Sequence, residues 1–220
     1  MIDSYRTVGE NTYEMIKKDI IFGNLKPLKK LKLNELKINY KTSISTLREI
    51  LSRLSGDGFV VYEEQKGFYV SPVSESDLKE IANLRILIES HALKYSLENS
   101  NPDWEGSLLA AHHKLNLYEN KLLKNKTEER SNWKRYDSEF HQTLVRNCNS
   151  KNLIELHKLI FDKYLRYQLL VLTFRGSGSI EEHKKLLDYS LERNFKKAQM
   201  VLEEHIQNGI IHANKGFNYL

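Results

Sequence analysis

Cysteine is nearly missing from this chain: Cys148 is the only one, which excludes an internal disulfide framework and suits a reducing compartment. Proline is scarce as well, and Pro27, Pro72 and Pro102 each fall at a break between patterned segments. No run approaches the ~18 apolar residues that a membrane-crossing helix needs, and the first residues lack the apolar stretch of a signal peptide. The expectation is a cytoplasmic protein with no membrane partner. Neither an internal repeat nor a low-complexity tract is present. Beyond Asp77 there is no strand signal at all.

What is present is an ordinary globular balance, 40% apolar and 29% charged, over 220 residues, enough for one large domain or two modest ones. The net charge of +5 is unevenly spread. From Gly23 to Arg53, eight basic residues (Lys26, Lys29, Lys30, Lys32, Lys37, Lys41, Arg48 and Arg53) stand against Glu35 and Glu49, and the rest of the chain is close to neutral. A concentrated basic stretch is the footprint of a phosphate-binding surface, although a solvated lysine face carries the same composition.

The segment order refines this. Apolar positions Val8, Tyr13, Ile16, Ile20 and Ile21 have helical spacing, which Gly23 and Pro27 stop; a short helix follows over Leu33–Tyr40. In "TSISTLREILSRLSGDG", Ser43 is positioned as an N-cap, Leu47, Ile50, Leu51 and Leu54 form a buried stripe, and Gly56 and Gly58 end the helix. Two β-rich runs, Phe59–Tyr62 and Phe68–Ser71, flank a polar turn with Gly67. Three helices and a hairpin in this order predict a winged helix-turn-helix over residues 1–72. Its DNA-reading positions would be Lys41, Thr42, Ser43, Ser45, Thr46 and Arg48 at the recognition helix, with Lys66 and Gly67 at the tip of the wing. Singly, these are also ordinary capping and turn residues.

Residues 73–76 read as a linker, and 77–220 as an all-helical bundle with amphipathic segments near 77–99, 103–124, 127–148, 152–174, 180–192 and 194–214. Three of its apolar stripes carry polar residues. Asp137 and His141 share a face with Trp133, Phe140 and Leu144; His183 lies with Ile180, Leu187 and Leu191; His205 lies with Ala198, Val201, Leu202 and Gly209. Burying such groups unpaired costs about 1–3 kcal/mol each. An inward histidine is ordinarily a hydrogen-bonded core residue, but three on separate helices plus an aspartate suit one divalent ion such as zinc, nickel, manganese or iron. An open position on such an ion would equally suit a metal-dependent enzyme acting on a small organic acid, and a purely structural polar core is the third reading. Arg85 interrupts the stripe Leu78, Ile81, Ile88, Ala92 and Tyr95; it would either pair with a glutamate of the bundle or serve as a fork for a carboxylate. Arg166 and Tyr167 are further inward candidates.

The sequence resembles a known family at these residues. Ile21, Gly23, Leu25 and Pro27, then Leu47 to Leu51 with Arg53, Leu54, Gly58 and Phe59, then Lys66 to Val70, match the pattern of the GntR-family DNA-binding domain. Where that family commonly has Ser-Arg-Thr-Pro, this chain has Ser43-Ile44-Ser45-Thr46, so the frequent base-reading arginine is Ile44. The helical half resembles the FCD domain of the FadR-type branch through "EFH", "EEHKKLL" and "LEEHI". That resemblance places metal ligands at Asp137, His141, His183 and His205. It leaves His91, His112, His113, His157 and His212 as surface or packing residues, and puts Ser150 where the family usually has asparagine. It implies a homodimeric regulator, a repressor on this reading, that binds an inverted-repeat DNA operator. A small organic acid held at the metal and Arg85 would control it.

Overall fold

The computed structural model describes residues 7–170 and 174–217. The chain divides between Ser74 and Glu75 into two compact units. The first contains helices α1 (Val8–Ile21), α2 (Leu33–Tyr40) and α3 (Ile44–Gly56) and the hairpin β1 (Val60–Glu63) and β2 (Gly67–Val70). Thr7 and Glu10 form a reciprocal capping box that starts α1. Lys41 ends α2 in the left-handed conformation, and Ser43 then accepts the Thr46 amide to start α3. Ile16, Ile20, Leu47, Leu51, Leu54, Phe59 and Val70 form the core of this unit.

The hairpin pairs Val60 with Val70 and Glu63 with Gly67, one residue later in β1 and one earlier in β2 than the apolar runs predict. Phe59 is withdrawn from the strand because its amide bonds back to Leu54 O, closing the end of α3 while its ring fills the core. The turn is negotiated at Gln65 and Gly67, both at positive φ.

The second unit is all helical: α4 (Glu75–Glu98), α5 (Pro102–Leu123), a 3-10 turn (Thr127–Glu129), α6 (Arg130–Val145), α7 (Lys151–Leu170), α8 (Ser177–Leu191) and α9 (Phe195–Phe217). Helix α4 lies along α7 and α9, α5 along α6 and α8, and α8 along α9. Asn101 caps α5 with Pro102 in its first turn, and the Trp104 indole N–H donates to Thr143 O at 2.8 Å, tying α5 to α6. The predicted segment 127–148 is shorter as an α-helix because it opens with the 3-10 turn and its helix ends at Val145. Ser150 Oγ then accepts the Leu153 amide, the capping role its residue type suggests. Residues 171–173 of the predicted segment 152–174 lie outside the described residues. Among the described residues, no helix is long and apolar enough to cross a membrane.

Helices α7 and α9 meet at one position without slack. A Cβ at Gly209 would lie well inside van der Waals contact of Tyr164 Oη, whereas the next atom, Tyr164 Cζ, is at 3.5 Å. Gly209→Ala is therefore expected to destabilise the helical unit by about 1–3 kcal/mol. Tyr164→Phe in the same chain should recover most of that loss. Thermal unfolding of the two single variants and the double variant checks it.

Candidate functional site

Helices α6, α8 and α9 deliver His141, His183 and His205 to one point in the bundle. All three are buried, and one ring nitrogen from each lies within 4.8 Å of the others. The rings stand 4.6 Å apart (His183 and His205), 5.2 Å (His141 and His205) and 5.5 Å (His141 and His183) between centroids. Asp137, one turn before His141 on α6, places Oδ1 3.5 Å from His183 Nε2. The four residues predicted as ligands are thus brought together. Phe140 sets its ring edge-on to His141 and His183 and closes one side.

The far side of each imidazole is held by a carboxylate. His141 Nδ1 is 2.5 Å from Glu89 Oε1, His183 Nδ1 is 2.7 Å from Glu119 Oε1, and His205 Nδ1 is 2.8 Å from Glu182 Oε2. A carboxylate only accepts, so the Nδ1 atoms of His141 and His183 carry the hydrogen and their Nε2 atoms face the centre; at His205 Nδ1 an acceptor, Glu182, and a donor, Arg175 at 3.1 Å, compete. The Nε2 atoms of His141 and His183 and Oδ2 of Asp137 are buried without a hydrogen-bond partner. Orphaned acceptors of this kind cost about 1–3 kcal/mol each unless something else satisfies them.

Two of the carboxylates have cations of their own. Arg85 donates from Nε to Glu89 Oε2 at 2.8 Å, with its guanidinium between the rings of Phe161 (4.4 Å) and Tyr164 (4.7 Å). Arg175 donates to both oxygens of Glu182 and reaches the edge of His205. Burial would raise Glu89, but Arg85 and His141 hold its carboxyl well below the ordinary range. Burial likewise opposes ionisation of Glu182, and the hydrogen bonds from His205 and Arg175 overcome it. For Asp137 the same contest is won by Lys134 and the three histidines, which keep it ionised. His141 is shifted down by burial, against the pull of Glu89. His205 is shifted well below its usual value by burial and by its histidine and arginine neighbours. Both rings are therefore neutral near pH 7, the form that donates a lone pair.

Of the predicted effector residues, Arg85 is buried and paired with Glu89, and its two terminal nitrogens remain without partners. Arg166 and Tyr167 are also buried, further along α7. The Tyr167 hydroxyl donates to Asp77 at the start of α4, and neither residue lines the cavity beside the histidines. That cavity instead borders Asp137, His183 and His205 together with Lys134, Tyr164 and Arg175. His157, predicted as a surface or packing residue, is buried with Nε2 3.3 Å from Glu89 Oε2. Sequence reasoning missed the three supporting glutamates and Lys134. Glu119 was legible, since it continues the stripe of Leu108, Ala111, Leu115 and Leu122 on α5. Glu182 falls on no periodic stripe.

In the first unit, Arg48 and Ile44 on α3 share a concave cleft with Gln65, Lys66 and Gly67 of the hairpin turn, and Lys30 and Lys32 line it too. Arg48 and Lys66 are exposed. Ser43 Oγ lies 2.7 Å from Ser45 Oγ and 2.8 Å from Thr46 Oγ1, so these hydroxyls cap the helix and cluster at its exposed N-terminus together. Lys41 and Thr42 precede them in the turn between α2 and α3.

Comparison with known proteins agrees with both halves. Residues 8–70 match the model of the bacterial regulatory proteins of the gntR family, and residues 80–208 match the FCD domain. The chain is 29% identical to the HTH-type transcriptional regulator BphR of Paraburkholderia xenovorans, over 95% of this chain and 86% of that protein. It is also 29% identical to the HTH-type transcriptional repressor GlaR of Escherichia coli, over 88% and 90% respectively. Among solved structures, E. coli McbR/YncC superimposes with a TM-score of 0.82 at 20% identity, covering 97% of this chain and all of that one. The relatives are transcriptional regulators, which sets aside the metal-dependent enzyme as a reading of the histidine cluster. With a DNA-binding head and an FCD domain in this order, the chain belongs to the GntR family of bacterial transcriptional regulators, in its FadR-type branch.

Proposed function

We propose that the protein is a cytoplasmic homodimeric repressor whose operator affinity is set by a small organic acid bound at a divalent metal in the FCD domain. The observation that carries this reading is the cluster of imidazoles on three helices, each turned inward by a carboxylate on its Nδ1, around the orphaned Nε2 atoms of His141 and His183 and Asp137. A histidine buried only for packing needs no such arrangement; a metal-ligating one characteristically has it. Asp137, His141, His183 and His205 would hold the ion, and borderline nitrogen donors with one carboxylate suit zinc, nickel, manganese or iron. Once bound, the ion supplies a Lewis-acidic anchor for a carboxylate. Arg85, with two unpaired terminal nitrogens, is the nearby cation for a second contact or for fixing Glu89. Arg166 and Tyr167 serve better as a tie to Asp77 than as effector contacts.

For the DNA half, the exposed cations around the α3–hairpin cleft support docking of α3 in the major groove. Lys41, Thr42, Ser43, Ser45, Thr46 and Arg48 would face the groove, and Lys66 and Gly67 the neighbouring backbone. Ile44 offers an apolar contact in place of a base-reading arginine. A second copy is favoured by the α4 face that carries Leu84, Leu87 and Tyr95, large apolar residues left exposed. Two copies related by a two-fold axis call for an inverted repeat. The acid acts as an inducer only insofar as it binds one arrangement of the dimer better than the other. The name of GlaR, a repressor, supports the sign of the response.

Arg48→Ala is expected to lose gel-shift binding to the promoter fragment upstream of its own gene while keeping its helical circular dichroism. His141→Ala or His205→Ala should abolish metal uptake, read by elemental analysis after gel filtration, and leave DNA affinity unchanged. Glu89→Gln should weaken metal binding by about 10- to 100-fold, because the imidazole it orients loses its fixed tautomer. Because His141 and His205 titrate below their unfolded value in the folded chain, the unfolded state takes up more protons as pH falls. Metal-free protein should therefore lose stability as pH drops below about 6.5, followed by urea unfolding across pH.

A further inference from the structure

Four cations, Lys30, Lys32, Arg48 and Lys66, line the cleft beside the wing, yet of the two α3 side chains on its wall one is apolar. Those two are Ile44 and Arg48, four residues apart and so on one face of the helix. Ile44 opens α3, stands outside the buried core and is partly exposed, and Arg48 is exposed. Among the described residues Arg48 has no ion pair, whereas Lys32 is bonded to Glu35 at 2.9 Å and Lys66 to Glu63 at 3.0 Å.

The hydroxyls around Ile44 are already engaged. Ser43 Oγ accepts the Thr46 amide at 3.1 Å and lies 2.7 Å from Ser45 Oγ and 2.8 Å from Thr46 Oγ1. The Thr46 methyl is turned toward α1, where a Cβ added at Gly9 would meet it at 3.9 Å. The apolar contact that the start of α3 can make with a base therefore falls to Ile44.

In the major groove the base edges present hydrogen-bonding groups and one apolar group, the C5 methyl of thymine. An isoleucine pressed on guanine N7 and O6, or on the amino group of cytosine, strips them of water and returns no hydrogen bond. Against a thymine methyl the same side chain buries apolar surface on both partners. Resting on the reading of α3 as the groove-docking helix, we infer that Ile44 is a specificity-determining residue. It selects a thymine in each half of the operator through the C5 methyl. Four helical residues advance about 6 Å, or about two base-pair steps, so this thymine falls within about two base pairs of the contact made by Arg48.

The test selects operator duplexes from a randomised pool with the full-length protein at one fixed salt concentration. Each thymine of the selected duplex is then replaced singly by deoxyuridine, which removes only the methyl. Wild type should show one thymine per half-site whose replacement weakens binding about fourfold. Ile44→Ala should bind the thymine and deoxyuridine duplexes alike, and Ile44→Val should keep part of the difference, both with wild-type helical circular dichroism. A wild type indifferent to every replacement overturns the inference, and so does an Ile44→Ala that keeps full sensitivity at the same thymine. A wild type that enriches no sequence from the pool overturns the docking reading, and this inference with it, so the two failures are told apart at the selection step. Should Ile44→Ala not fold, Ile44→Val decides: an unchanged ratio at that thymine overturns the inference.

Discussion

An imidazole turned toward other imidazoles inside a protein needs something behind it, and in this bundle each one has a carboxylate. Glu89, Glu119 and Glu182 hold His141, His183 and His205 by Nδ1 and turn the opposite edges of the rings toward one another. Each such carboxylate is itself an expensive burial. Arg85 answers for Glu89 from one turn away on α4, and Arg175 for Glu182 from the segment before α8. Breaking a buried pair of this kind by removing one member costs about 3–5 kcal/mol, so the site and the fold of the helical unit are not separable. Six helices contribute to this single network: α4 through Arg85 and Glu89, α5 through Glu119, α6 through Asp137 and His141, α7 through Tyr164, α8 through Glu182 and His183, and α9 through His205.

The rings around the network make it tolerable. Phe140 and Phe161 pack edge-on or tilted against the imidazoles and exclude water, which strengthens every charge pair inside. Tyr164 lies across the Arg85 guanidinium and passes its hydroxyl over Gly209, where any side chain would block it. Lys134 differs from the other buried cations, since its carboxylate, Asp137, also faces the imidazole of His183.

The N-terminal unit is built on the opposite principle. Its core is apolar, closed by leucines, isoleucines and Phe59, and its surface carries lysines, Arg48 and a cluster of hydroxyls at the start of α3. Such a surface needs few specific neighbours, which is why composition and segment order were enough to read it. The hairpin was displaced by one residue in each strand because the Phe59 amide serves the end of α3, a choice made by the helix and not by strand propensity.

The order of helices and wing, the division into a reading head and a helical bundle, and the four inward polar residues Asp137, His141, His183 and His205 were all legible in the sequence. Each is a local or periodic property: caps, glycine stops, and polar residues on apolar stripes of known pitch. What periodicity cannot express is which residue from another helix stands behind a given side chain. Arg85 was legible as an inward charge, but its bond to Glu89, and through Glu89 to His141, joins α4 to α6 across 52 residues of chain. Lys134 lies three and seven residues before Asp137 and His141 on the inward stripe of α6, but its partner Gln168 comes from α7 and no spacing within α6 points to it. The sequence by itself determined the helices and the ligand-type residues, because those depend on neighbours within a turn or two. Only the tertiary structure decided the carboxylates, the cations and the rings around them, because pairing in a low-dielectric interior depends on distance through space.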